Sequence, residues 1–230
     1  MTVDLTRAKE IMLREHLAAR GIVAVHILSA FREVPREAFV PPNLIDLAYE
    51  DNPLGIGIGQ TISQPYTVAF MTQLLGPQPA DIVLEVGTGS GYQAAILSRL
   101  CRKVYTIERF AELGKQAEKV LRQLGYDNVE IVIGDGSLGL LEKSPFDRII
   151  VTAGAPVVPR PLLEQLKVGG KLVIPVGEET QEMLKITKTE KGFQEEKHPG
   201  FRFVPLVGRL GFARDDPERS RTGRKGGFEE

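Results

Sequence analysis

One ten-residue stretch constrains this chain more than any other: residues 83–92, VLEVGTGSGY. An apolar strand pattern runs straight into Gly87, Gly89 and Gly91, with Thr88 between the first two, and a helical pattern comes next. Glycines at such a junction permit a tight turn and let a ligand lie against bare backbone beside a helix start. The spacing is G-x-G-x-G, not the G-x-G-x-x-G of dinucleotide-binding turns. Glu85 precedes the first glycine by two residues. A carboxylate there opposes a pyrophosphate and suits a positively charged ligand.

Two more acids fall in step with this turn. Glu108, followed by Arg109, closes the next strand, KVYTIE. An acid at the end of a second strand is placed to accept hydrogen bonds from a ribose diol. After the third strand comes Gly134-Asp135-Gly136, where Asp135 is placed to accept from an adenine amino group. Each acid alone reads most simply as a solvated loop residue. All three features sit at the carboxyl ends of successive strands, and so line one crevice where the strand order reverses.

The rest of the chain supplies the frame. Strand patterns at 82–86, 104–107, 129–133, 148–152 and 171–176 alternate with helical patterns at 91–100, 110–124 and 161–166. That rhythm implies an α/β fold: a mostly parallel sheet with helices on both faces. Gly169 and Gly170 read as a turn before the fifth strand. Two further strands, 183–189 and 203–210, come after it with only a polar stretch between them, so an antiparallel addition is expected at one edge. Residues 1–50 form an N-terminal helical extension. One helix spans 4–20, stopped by Gly21, and a second carries Val23, Ile27, Ala30, Phe31 and Val34 on one face. The alternating Gly55, Gly57 and Gly59 suit an extended segment or hairpin. One domain is expected over 1–212, with its cofactor-binding core at 81–176 and a charged, flexible tail at 213–230.

Composition narrows the function classes. The 29 Lys+Arg and 30 Asp+Glu nearly cancel, which gives no basic face for nucleic acid. Cys101 is the single cysteine and reads as a packing residue; it excludes an internal disulfide or a cysteine metal cage. His16, His26 and His198 lack ligand spacing, so no metal is expected. No run approaches the ~18 apolar residues of a membrane span, and the first ten residues lack a signal-peptide core. A cytoplasmic monomer without membrane or nucleic-acid partners is the expectation.

The glycine loop with Glu108 and Asp135 resembles the nucleotide-side motifs of class I S-adenosylmethionine methyltransferases. The resemblance implies a Rossmann-like, seven-stranded sheet with an antiparallel last strand. It implies S-adenosyl-L-methionine as cofactor and S-adenosyl-L-homocysteine as product. The segment at 59–75, GQTISQPYTVAFMTQLL, and the later FRFVPLVG at 201–208 are similar to the protein-L-isoaspartate O-methyltransferase family. The likeness runs to about Phe212; the tail lies outside it, and the chain lacks the tryptophan-bearing ending usual in that family. This second resemblance implies protein repair: methylation of the free α-carboxylate of L-isoaspartyl residues in age-damaged proteins and peptides, then closure to a succinimide and partial hydrolysis to L-aspartyl.

That chemistry needs no general base, because a carboxylate is already ionised at neutral pH. Holding the reacting atoms in line is the larger task. The resemblance makes Ser63 the key hydroxyl, orienting the substrate carboxylate, with Thr61 and Ile62 contacting cofactor or substrate. Glu85, Gly87, Thr88, Gly89, Gly91, Glu108, Arg109, Asp135 and Gly136 complete the cofactor set. The plainer reading of Ser63 is the N-cap of the helix that begins at Pro65. Val204, Pro205 and Leu206 are expected to offer a strand edge to an extended peptide; an ordinary apolar strand is the plainer reading. Residues 152–156, TAGAP, should face the transfer site. A small-molecule or nucleic-acid methyltransferase is the alternative. An adenine-N6 enzyme wants Asn/Asp-Pro-Pro-aromatic after strand four, where this chain has Ala-Gly-Ala-Pro. A nicotinamide oxidoreductase conflicts with the glycine spacing and Glu85, and a non-catalytic cofactor-binding module is the remaining class.

Overall fold

The computed structural model describes residues 3–212. The expected tail at 213–230 lies outside them. Asp4 caps the first helix, α1 (Leu5–Ile11), by accepting the Arg7 N–H at 3.1 Å. The helical run continues through a π-helical turn (Met12–Leu17) and a 3-10 turn (Ala18–Arg20), and ends at Gly21 with φ 91°. Only glycine enters that left-handed region freely. In α2 (Val25–Glu33) Ile27, Ala30 and Phe31 are buried, as is Val34 just beyond it. Val23 precedes the helix and is exposed, so it does not share that face.

A two-stranded hairpin, β1 (Leu54–Gly57) and β2 (Gln60–Ile62), realises the alternating glycines. It leads into α3 (Pro65–Leu75). The alternation then begins: β3 (Ile82–Val86), α4 (Tyr92–Ser98), β4 (Lys103–Glu108), α5 (Ala111–Gln123), β5 (Val129–Ile133), β6 (Phe146–Val151), α6 (Arg160–Glu164) and β7 (Leu166–Val176). Two strands, β8 (Gln181–Thr189) and β9 (Gly192–Phe201), complete one seven-stranded sheet in the order β5-β4-β3-β6-β7-β8-β9. Pairing is parallel from β5 through β7 and antiparallel at β7–β8 and β8–β9.

Strand alternation sorts the core into two faces. Val83, Val104, Ile150 and Val173 pack against Met71 and Leu75 of α3 and Ala94 and Leu97 of α4. Leu84, Val86, Ile149 and Leu172 pack on the opposite face with Leu162 of α6 and Leu206. A third cluster joins the N-terminal helices to Ile62, Tyr92 and Leu121. This cluster fixes the extension and the hairpin over the carboxyl end of β3.

Two expectations need correction. Gly169 and Gly170 do not separate a turn from a strand. They form an irregularity within the long β7, where pairing to β6 slips between Phe146–Leu166 and Arg148–Lys171. The last strand is Gly192–Phe201, not 203–210. Its residues are mostly exposed and polar, as suits a sheet edge, so they carry no apolar periodicity. The apolar FVPLVGRL is instead a segment with isolated bridges only, Gly154 to Pro205 and Val207 to Phe212.

Candidate active site

The glycine loop forms where the chain leaves β3. Gly87, Gly89 and Gly91 have φ of 99°, 53° and 88°. At Gly87 the reason is also steric: a Cβ would lie 2.5 Å from Thr152 Oγ1. Thr152 uses that hydroxyl to donate to the Gly87 carbonyl at 2.7 Å. Gly91 packs against α5, where a Cβ would meet Leu121 at 3.2 Å and Ala117 at 3.3 Å. Gly136 is buried with Val86 Cγ1 at 2.4 Å from where its Cβ would stand. Gly87 and Gly136, which both line the cleft, therefore have no room for a side chain.

Glu108 reaches back to this loop. Its Oε2 accepts the Gly89 N–H at 2.8 Å, and its Oε1 accepts the Phe110 N–H at 2.9 Å. An ionised carboxylate has about four lone-pair sites, so both oxygens can accept more. Glu108 and Arg109 line the cleft together with Gly87, Gly89 and Gly136. Asp135 does not line it. Its Oδ1 takes the Ser137 N–H at 3.0 Å and hydroxyl at 2.7 Å, and its Oδ2 takes the Arg209 N–H at 2.8 Å. Burial acts to raise the Asp135 carboxyl, but these bonds and the Arg109 charge hold it below the usual carboxylate range.

Glu85 is fully buried beneath the loop and does not line the cleft. Among the described residues neither of its oxygens has a partner within hydrogen-bond geometry; the neighbouring Thr106 hydroxyl is paired with Thr88 at 2.7 Å. Burial pushes the carboxyl up to about 8; the Thr106 hydroxyl opposes that rise and the Glu108 charge adds to it. Near neutral pH this group is mostly protonated, so it offers a ligand no full negative charge.

The opposite wall comes from β2 and the start of α3. Thr61, Ile62 and Ser63 border a second cleft with Thr88 and Gln93. A third cleft runs from Ser63 and Thr67 to Val204 and Pro205. Thr61 and Thr152 line all three, so the three spaces meet around those two residues. The helix-cap reading of Ser63 fails: Gln64 is the N-cap residue, and no side chain caps the helix from that position. The Tyr66 N–H is taken at 2.9 Å by Asp51 instead.

The TAGAP segment reaches the cleft as its sequence position suggested, through Thr152 and Ala153. Of the three residues expected to offer a peptide edge, Val204 and Pro205 border the third cleft. Leu206 is buried and turns toward the loop side. Gly154 fixes this segment, donating to the Val204 carbonyl at 2.8 Å. Gln181 reinforces it by accepting the Phe203 N–H at 2.7 Å. Sequence reasoning missed Arg36, Asp51 and Gln181, because their partners are distant along the chain and no spacing signals them. Among the described residues no cluster of three or more His, Cys, Asp or Glu could hold a metal ion. Among the same residues no helix is long and apolar enough to cross a membrane.

The sheet order, the glycine loop and the acid closing β4 define a methyltransferase of the Rossmann-like class I type. Its family is established by comparison with known proteins. The family model for protein-L-isoaspartate(D-aspartate) O-methyltransferase matches residues 7–211, and the chain belongs to that family. A Pelobacter propionicus protein-L-isoaspartate O-methyltransferase is 54% identical over 207 residues, covering 89% of this chain and 92% of its own. One from Geotalea uraniireducens is 50% identical over 212 residues, covering 91% and 97%. A solved protein-L-isoaspartate O-methyltransferase superposes with a TM-score of 0.81 at 32% identity, covering 88% of this chain and 67% of its own. A Plasmodium falciparum structure of this kind, in complex with S-adenosyl-L-homocysteine, gives 0.75 at 26% identity, covering 86% and 97%.

Proposed function

We propose that this chain transfers a methyl group from S-adenosyl-L-methionine to the free α-carboxylate of L-isoaspartyl residues in damaged proteins and peptides. The observation that carries the reading is the meeting of a loop-floored cleft and a peptide-sized cleft at Thr61 and Thr152, with the Ser63 hydroxyl released from capping. Family membership and the named relatives support it.

The residues fit the cofactor. Gly87 and Gly136 form a cradle that a Cβ would fill, and Glu108 keeps acceptor capacity on both oxygens. When bound, S-adenosylmethionine supplies an electrophilic methyl group on a sulfonium centre. Gly87, Thr88, Gly89, Glu108, Arg109 and Gly136 would hold it from the loop side, and Thr61, Ile62 and Ser63 from the other. Glu85 would support the loop from below, Gly91 would set its packing on α5, and Asp135 would fix its rim. Ser63 would donate to one oxygen of the substrate carboxylate and hold it in place. Thr61, Val204 and Pro205 would flank the peptide, with Leu206 behind them. Positioning of this kind, in place of proton transfer, requires no paired base.

We also assign residues 1–212 to one catalytic domain and read the enzyme as a cytoplasmic monomer that needs neither nucleic acid nor membrane. Its balanced charge supports the last point. The test is transfer of labelled methyl groups to paired peptides carrying L-isoaspartate or L-aspartate at one position. Labelling of the isoaspartyl peptide alone, released as methanol in base, is expected. No labelling of either would return the substrate to a small molecule or nucleic acid.

A further inference from the structure

Arg202 stands on the rim of the cleft bounded by Ser63, Thr152 and Val204, and it is the one charged residue among those lining that space. Its side chain is exposed, and among the described residues it has no hydrogen-bond or ion-pair partner. Arg32, Arg122 and Arg160, by contrast, each hold a carboxylate. The acid next to the Gln181 anchor, Glu182, is matched with Lys197 at 3.7 Å and does not neutralise Arg202. The backbone beside Arg202 is fixed, because both the N–H and the carbonyl of Phe203 bond to the Gln181 side chain. An uncompensated guanidinium is thus held at the mouth of an otherwise uncharged groove.

We propose that Arg202 is a specificity-determining residue that favours isoaspartyl peptides with an Asp or Glu side chain flanking the isoaspartyl residue. This rests on the assignment of that groove to the peptide. A guanidinium presents a planar fork of donors matched to a carboxylate, and it repels an ammonium at the same place. The contact is solvent-exposed, so its effect is modest and falls with added salt.

The test measures methylation of three isoaspartyl peptide series, with Glu, Gln or Lys on either side of the isoaspartyl residue. For the unaltered protein kcat/KM with Glu should exceed that with Lys by about fivefold at low salt, mostly through KM. The ratio should approach one in Arg202→Ala and invert in Arg202→Glu. All three proteins should label the Gln peptide similarly, since an exposed rim residue leaves the transfer site intact. Equal use of Glu and Lys peptides, or a preference that survives Arg202→Glu, overturns the inference while the proposed function stands. Failure to label even the Gln peptide overturns both.

Discussion

The Arg36 guanidinium donates from Nη2 to the Ser63 carbonyl oxygen at 2.8 Å. Its Nε donates to the Ala48 carbonyl at 2.7 Å, and its plane lies over the Tyr92 ring at 4.8 Å. One fully buried cation therefore ties the N-terminal extension to the Ser63 backbone and to the first residue of α4. Asp51 grips the other side, accepting from the Tyr66 N–H and from Gln64 Nε2 at 3.3 Å. The backbone around Ser63 is clamped while its hydroxyl stays available.

Replacing Arg36 with Met should strip the buried Ala48 carbonyl and the half-buried Ser63 carbonyl of their donor. Each orphaned group costs about 1–3 kcal/mol, so unfolding in urea should show a loss of roughly 2–6 kcal/mol. Arg36→Lys should recover part of it, since an ammonium can donate but lacks the fork. A Met variant as stable as the parent would mean that the clamp contributes nothing.

Ser63→Ala separates the two roles considered for that residue. A lost helix cap costs about 1 kcal/mol of stability. Because the hydroxyl caps nothing, the variant should unfold within about 0.5 kcal/mol of the parent. Its kcat for methyl transfer should fall at least about tenfold, the size of one lost orienting hydrogen bond, with cofactor affinity unchanged by calorimetry. Unaltered turnover would assign the orienting role elsewhere.

Much of this was legible in the sequence, and the exceptions share a cause. Strands β3 and β5 were readable to the residue, because each is a short apolar run between turn signals. Gly87, Gly89 and Gly91 announced a tight loop, whereas the bond from the Gly89 N–H to Glu108 was not signalled by spacing. What misled was exposure. β9 is a polar edge strand whose pairing is backbone pairing, which leaves no side-chain period, while the apolar 203–210 packs against the sheet's end without being a strand. Arg36 is invisible for the converse reason: a charged residue reads as surface until the structure shows its carbonyl partners, one 12 residues away and the other 27. Glu85 was legible in position but not in charge, since its protonation depends on what covers it.

Glu108 and Asp135 should fail differently when truncated. Glu108→Ala frees the Gly89 and Phe110 N–H groups in the cleft wall. Charged hydrogen bonds are worth about 1.5–3 kcal/mol, so S-adenosylhomocysteine affinity should drop by about 10- to 150-fold. Asp135→Ala instead releases Arg209 and Ser137, and so loosens the segment that carries Val204. Its first effect should be faster proteolysis within 203–212 and a raised peptide KM. Equal loss of cofactor affinity in both variants, with no change in cleavage, would place Asp135 directly on the ligand.

Glu85 makes stability depend on pH in an unusual direction. The folded protein keeps a proton on this carboxyl up to about 8, whereas the unfolded chain releases it near the ordinary value of 4.5. Between those values the native state binds the extra proton, so raising the pH destabilises it by about 1.4 kcal/mol per unit from this group, with the loss levelling off above 8. Glu85→Gln has no proton to lose. Its stability relative to the parent should therefore rise steadily from about pH 5 to pH 8, read by urea unfolding at several pH values. Asp135 contributes the opposite slope at the acid end, because its depressed carboxyl stabilises above the unfolded value and loses that effect only as pH falls. Parallel stability curves for parent and Glu85→Gln would show that the carboxyl is ionised in the fold, and that the loop rests on a buried charge instead of a neutral acid.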